Sequence, residues 1–122
     1  MVEMNSLVKY VTIAALIAIL DLPWLFVSNT AASSMIRKIQ GADMELRLEP
    51  AVVVYFALAY LAQLPKTATE AFLLGLCVYA VYDFTNLATL KAYDWRFAVA
   101  DSLWGGVLFT IVHYVLLQMK GL

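Results

Sequence analysis

The stretch YAVYDFTNLATL, Tyr79 to Leu90, places an aspartate and an asparagine three residues apart in a run otherwise suited to lipid. At helical spacing Asp83 and Asn86 share a face, and Tyr79 joins them one turn earlier, so one stripe carries a carboxylate, an amide and a phenol. An aspartate at the centre of a membrane segment costs roughly 2.5 to 3.5 kcal/mol on insertion scales, so such a group normally faces a polar interior. If this stretch crosses a bilayer, its polar stripe marks where the rest of the chain gathers.

Composition agrees with a bilayer setting. Of 122 residues, 64% are hydrophobic, against 45 to 50% in ordinary soluble domains. Mean hydropathy is +0.83. A net charge of -1 without a cluster of Lys and Arg carries no nucleic-acid footprint, so DNA and RNA partners are not expected. The single Cys77 excludes an intrachain disulfide and a cysteine metal cage.

Outward from the central stretch the chain divides into four apolar spans, approximately 7–27, 49–64, 68–90 and 95–119. In the first, Asp21, Pro23 and Trp24 argue against the end of a cleavable signal peptide, and Pro23 predicts a kink beside the acid. Residues 29–48 hold much of the charge. There Ser33 or Ser34 can cap a short interfacial helix ended by Gly41, with Met35, Ile36 and Ile39 opposite Arg37 and Lys38; an ordinary solvated loop fits equally well. Glu49 and Pro50 suit the first turn of the second span, which is short for a crossing. Thr67 and Glu70 form a T-x-x-E capping box after the Pro65 turn and make the second and third helices antiparallel neighbours. Asp94 can cap the fourth span, in which Gly105 and Gly106, with Ala98 and Ala100, offer small surfaces for close helix contact. Tyr93 and Trp95 suit an aromatic belt. The fold class expected is an all-α, four-transmembrane-helix up-and-down bundle forming a single membrane domain.

Alternating direction carries Asp21 and Asp83, late in their spans, to the same side as Glu49 and Asp101, early in theirs. Trp24 follows Asp21 by three residues and Trp104 follows Asp101 by three, so each acid shares a face with an indole donor. His113, about 18 Å along the helix from Asp101, belongs to the far leaflet. Asp21-x-x-Trp24-Leu25 also echoes Asp83-x-x-Asn86-Leu87 in spacing, a hint of a two-helix repeat.

The segment YDFTNLATLKAYDWRFAVADSLWGG, with DLPWL in the first span and EPAVVVYF at the second, resembles the domain-of-unknown-function family 2177, small four-helix membrane proteins. The resemblance covers nearly the whole chain. It departs at the Ala-Tyr after Lys91, where Gly-Trp looks more usual, and at Val53-Val54, where more aromatics are expected. It implies the four-helix fold and the grouping of these residues, and no reaction.

One histidine leaves no histidine box or multi-histidine metal site, and there is no G-x-S-x-G or glycine-rich phosphate loop. What remains is carboxylate chemistry. Clustered acids in a low dielectric cannot all ionise and would share protons as a coupled set. Asp21, Trp24, Glu49, Tyr79, Asp83, Asn86, Asp101 and Trp104 form the expected ligand- or ion-binding set. No catalytic residue, metal or cofactor is assigned. Expected partners are the lipid bilayer and a proton, a cation or a small lipid-like ligand, with a homo-oligomer open. The leading expectation is proton or cation binding and transport; the alternatives are a membrane-embedded enzyme acting on a lipid-like substrate and a structural accessory protein. Arg37, Lys38, Arg47, Lys91 and Arg96 on the acidic side outnumber Lys9, Lys66 and Lys120, so positive-inside bias predicts a cytoplasmic acidic mouth with both termini outside.

Overall fold

A computed structural model describes residues 2–120 as four helices: α1 Val2–Gln40, α2 Leu48–Ala62, α3 Ala68–Thr89 and α4 Trp95–Lys120. No strand occurs among the described residues. α1, α3 and α4 are each long and apolar enough to cross a membrane, and α2 is a shorter apolar helix of 15 residues, about 22 Å. Large apolar side chains such as Leu22, Phe26, Val27, Leu73 and Val81 cover the outside. Around a bundle in lipid such side chains need no further partner.

Local chemistry explains the boundaries. The Glu70 amide donates to Thr67 Oγ1 at 3.1 Å, while Glu70 Oε1 accepts from the Lys66 amide at 2.8 Å, so the capping box closes one residue earlier than the usual pattern. Asp94 opens α4, with Oδ1 accepting from the Arg96 amide at 2.8 Å and its carbonyl accepting from Ala98. Arg96 also pairs with this carboxylate and holds the exposed Asp94 carboxyl below its ordinary range. Pro50 lies in the first turn of α2, where an intrahelical donor is not needed.

The separate interfacial helix suggested across 33–41 does not form. α1 instead runs uninterrupted through exposed Pro23 to Gln40, 39 residues or about 58 Å, roughly twice the depth of a bilayer core. It ends at Gly41, whose φ of 71° is the left-handed conformation that closes a helix, with its amide donating to the Arg37 carbonyl. Tertiary packing sustains the extension. Met35 is buried with Tyr93 and Ala98, with Ile39, Leu87, Leu90 and Phe97 around them, and the Asp94 amide points at Met35 Sδ.

The helices associate chiefly as two hairpins, α1 on α2 and α3 on α4, with α1 also lying along α4. Despite their tight turn, α2 and α3 touch only lightly. In α3 and α4 Gly75 faces Gly105: a Cβ on Gly75 would strike the Gly105 carbonyl oxygen, and one on Gly105 would strike the Tyr79 ring. Gly106 seats the Phe72 ring, Ala98 is buried and Ala100 is exposed. The core below the polar layer joins Ile13 and Ile17 to Leu58, Ala59, Ala71, Leu108, Phe109 and Val112.

Candidate functional site

Asp21 and Trp24 on α1 meet Asp101 and Trp104 on α4 in a reciprocal arrangement. Trp104 Nε1 donates to Asp21 Oδ1 at 2.7 Å, and Trp24 Nε1 donates to Asp101 Oδ1 at 2.7 Å. The two indoles stack at 6.1 Å between centroids with planes 19° apart. The same-helix pairing suggested by spacing is therefore corrected: each indole serves the acid of the other helix. Side chains three residues apart do share a face, but on adjacent antiparallel helices that shared face points across the interface. The internal echo likewise lies between Asp21-x-x-Trp24 and Asp101-x-x-Trp104, one motif used twice in opposite directions.

Asp21 is satisfied on both oxygens, because Tyr55 of α2 donates to Oδ2 at 2.7 Å. This carboxylate thus joins α1, α2 and α4. Tyr55 is a site residue that the sequence reading misses; counting the donors a buried carboxylate requires would direct attention to phenols on the neighbouring helices.

Asp83 is fully buried in α3, about 9 Å from the end of the helix at Thr89. Its Oδ1 accepts from the Tyr93 hydroxyl at 2.7 Å. Its Oδ2 is buried without a partner among the described residues. The Asp101 carboxylate and the Ser102 side chain lie beside it. Ser102 directs its hydroxyl to the Ala98 carbonyl at 2.7 Å. Tyr93 is the second residue missed: it is buried in the α3–α4 link rather than standing in an aromatic belt, while Trp95 is exposed as a belt residue would be. Burial, then the hydrogen bond to Asp83, pushes the Tyr93 phenol well above its ordinary range, which keeps it a donor.

Asn86 is half-buried beside the Tyr93 phenol. Tyr79 packs on Gly105 and, with Asp21, Trp24 and Asp101, lines a cavity of about 340 Å³ walled by all four helices. Exposed Leu25, Val54 and Tyr82 at its rim open it toward the outside of the bundle. Glu49 stands apart, exposed in the first turn of α2 and making no hydrogen bond with the other acids. Among the described residues no three His, Cys, Asp or Glu side chains converge closely enough to hold a metal ion. Among the described residues, every group that donates a hydrogen bond to Asp21, Asp83 or Asp101 is a neutral indole or phenol.

These features define a helical membrane bundle built around carboxylates with neutral partners. The chain belongs to the family described as a predicted membrane protein (DUF2177), whose model matches residues 6–117. No curated protein and no solved structure matches it.

Proposed function

We propose that this protein binds protons or a small monovalent or organic cation at Asp83 and Asp101, in the service of transport across the membrane. The observation that carries the reading is the buried Oδ2 of Asp83, unpartnered among the described residues and beside a second carboxylate, in a cluster where no described cationic side chain pairs with Asp21, Asp83 or Asp101. Two adjacent carboxylates in a low dielectric repel, and an unmatched buried charge costs several kcal/mol, roughly, after relaxation. A proton carried between Asp83 and Asp101 gives the orphaned oxygen its donor and removes one charge. Asp21 and Asp101 also face the cavity, where aromatic walls suit a cation. The Lys and Arg excess on the acidic side supports a cytoplasmic mouth.

In proteoliposomes carrying an entrapped pH indicator, the wild-type protein dissipates an imposed proton gradient and Asp83→Asn does not. Equal flux in the two would end the proton reading. A reporter that is active only in the cytoplasm, fused after Leu122, is silent if the orientation is right. The outward-opening cavity supports a second reading, a lipid-like substrate entering sideways to meet the acids. A co-purified lipid lost on Tyr79→Ala, together with absent flux, would favour it.

A further inference from the structure

At the opposite end of the bundle a second cavity, of about 370 Å³, collects basic groups from three separate elements. Lys9 comes from α1, Lys66 from the α2–α3 turn and His113 from α4, and Gln63, Leu116 and Leu117 complete the wall. Neither lysine forms an ion pair with a described residue. Glu70, the acid beside Lys66 in sequence, turns its Oε1 to the Lys66 backbone amide. The Gln63 amide is taken by the Ala59 carbonyl. His113 is 7% exposed, and among the described residues none hydrogen-bonds to its ring. Asp83 Oδ2 is the sealed side-chain atom without a partner among the described residues, so the imidazole, which lines the cavity, is open to it and can hydrogen-bond what enters.

We infer that this cavity binds a phosphate-bearing anion, the headgroup of an anionic phospholipid. The lysines supply charge, the imidazole supplies an oriented hydrogen bond, and Leu116 and Leu117 offer apolar surface for the first methylenes of the acyl chains. Basic pockets between membrane helices hold anionic headgroups in this way, and lysine stems reach headgroup level while their ammonium groups stay polar. Lys9 lies near the beginning of α1 and Lys66 lies in a turn, both at a bundle end, where headgroups are found. The site is independent of the acidic cluster and uses none of its residues.

The test is lipid retention by delipidated protein in neutral detergent, read by native mass spectrometry. Phosphatidylglycerol, phosphatidylcholine and inorganic phosphate are the three probes. Phosphatidylglycerol is retained in preference to phosphatidylcholine, and each lysine removed weakens that retention about fivefold, from about 1 kcal/mol per basic residue near a charged lipid. Lys9→Gln with Lys66→Gln therefore lowers it on the order of 25-fold. His113→Gln, which keeps a polar side chain of similar reach, lowers it less. The charge-matched pair Arg37→Gln with Arg47→Gln, at the other end, leaves it unchanged. Inorganic phosphate raising thermal stability as much as the lipid, with the same dependence on Lys9 and Lys66, supports the anion site and makes free phosphate its occupant. Equal losses in the two double variants, or no preference between the lipids, overturn the inference.

Discussion

Removing the two donors to Asp21 is expected to reveal a coupled loss of stability. The Tyr55 hydroxyl and the Trp104 indole each reach this carboxylate at 2.7 Å, one on each oxygen, from α2 and α4. Hydrogen bonds to charged groups contribute about 1.5 to 3 kcal/mol in soluble proteins. Interhelical hydrogen bonds in membranes average about 0.6 and reach about 1.7 kcal/mol. Tyr55→Phe, which removes only a hydroxyl, is thus expected to cost about 1 to 2 kcal/mol. Trp104→Phe costs slightly more, since it also thins the stack on Trp24. With one donor gone the other still serves the carboxylate; with both gone neither of its two hydrogen bonds remains. The double variant is therefore expected to lose about 3 to 5 kcal/mol, more than the sum of the single losses, as for a buried charge stripped of its partners. Reversible unfolding in mixed micelles, run as a double-mutant cycle, measures this. A strictly additive cycle, or a double loss below about 1 kcal/mol, would refute the reasoning that the two donors jointly sustain one buried charge.

Gly75→Ala is expected to destabilise by at least about 1 to 3 kcal/mol, because its Cβ meets the Gly105 backbone and Phe109 Cβ, neither of which can swing away. Gly106→Ala meets only the edge of the Phe72 ring at 2.7 Å, so its melting temperature falls less; equal losses would mean the α3–α4 contact is looser than described. The Asp94 carboxyl is held below its ordinary value of 3.8 by Arg96, so its contribution is present above that value and is lost as pH falls through the lowered one. Asp94→Asn is accordingly expected to flatten the acid-side decline of melting temperature with pH, and an unchanged slope would contradict it.

The spans after the first are readable from local chemistry: Thr67 with Glu70, Pro50 and Asp94 bracket helices whose ends fall within a few residues of the sequence-derived limits. α1 is less legible because what carries it past Asn29 is a seat for Met35 among Tyr93, Leu90 and Ala98, a contact no local pattern contains. The meeting of Asp21, Asp83 and Asp101 follows from alternation of direction, but the identity of their donors does not. Tyr93 looks interfacial beside Trp95 in the sequence; only the folded link returns its hydroxyl to Asp83. Glu49 shares the correct end of its helix with the other acids and still remains outside the cluster, because level along the bundle does not fix the direction a side chain faces.

The two buried acids differ in how their oxygens are satisfied. Asp21 has a donor on each oxygen and ties three helices together, the arrangement expected of a structural clasp. Asp83 has one donor, and the neighbouring Ser102 hydroxyl, which could supply the second, is turned to its own helix instead. Substituting asparagine should therefore act in opposite senses. In Asp83→Asn the amide keeps an oxygen for Tyr93 and presents a permanent donor toward Asp101, reproducing the proton-loaded state while removing the titratable group. Stability is expected to hold or rise slightly, and proton or cation dependence is expected to vanish. In Asp21→Asn the amide keeps its oxygen for Trp104, but its NH2 can only donate to the Tyr55 oxygen, so the phenol O–H loses its acceptor and both contacts lose the charge that strengthened them, at a cost of about 1 to 2 kcal/mol. The infrared carbonyl band of a protonated carboxylic acid, present in the wild type, should disappear in Asp83→Asn and survive in Asp21→Asn. If instead Asp83→Asn is as destabilised as Asp21→Asn and the band is untouched, both acids are clasps, and the carboxylates exist to order the bundle rather than to carry a proton.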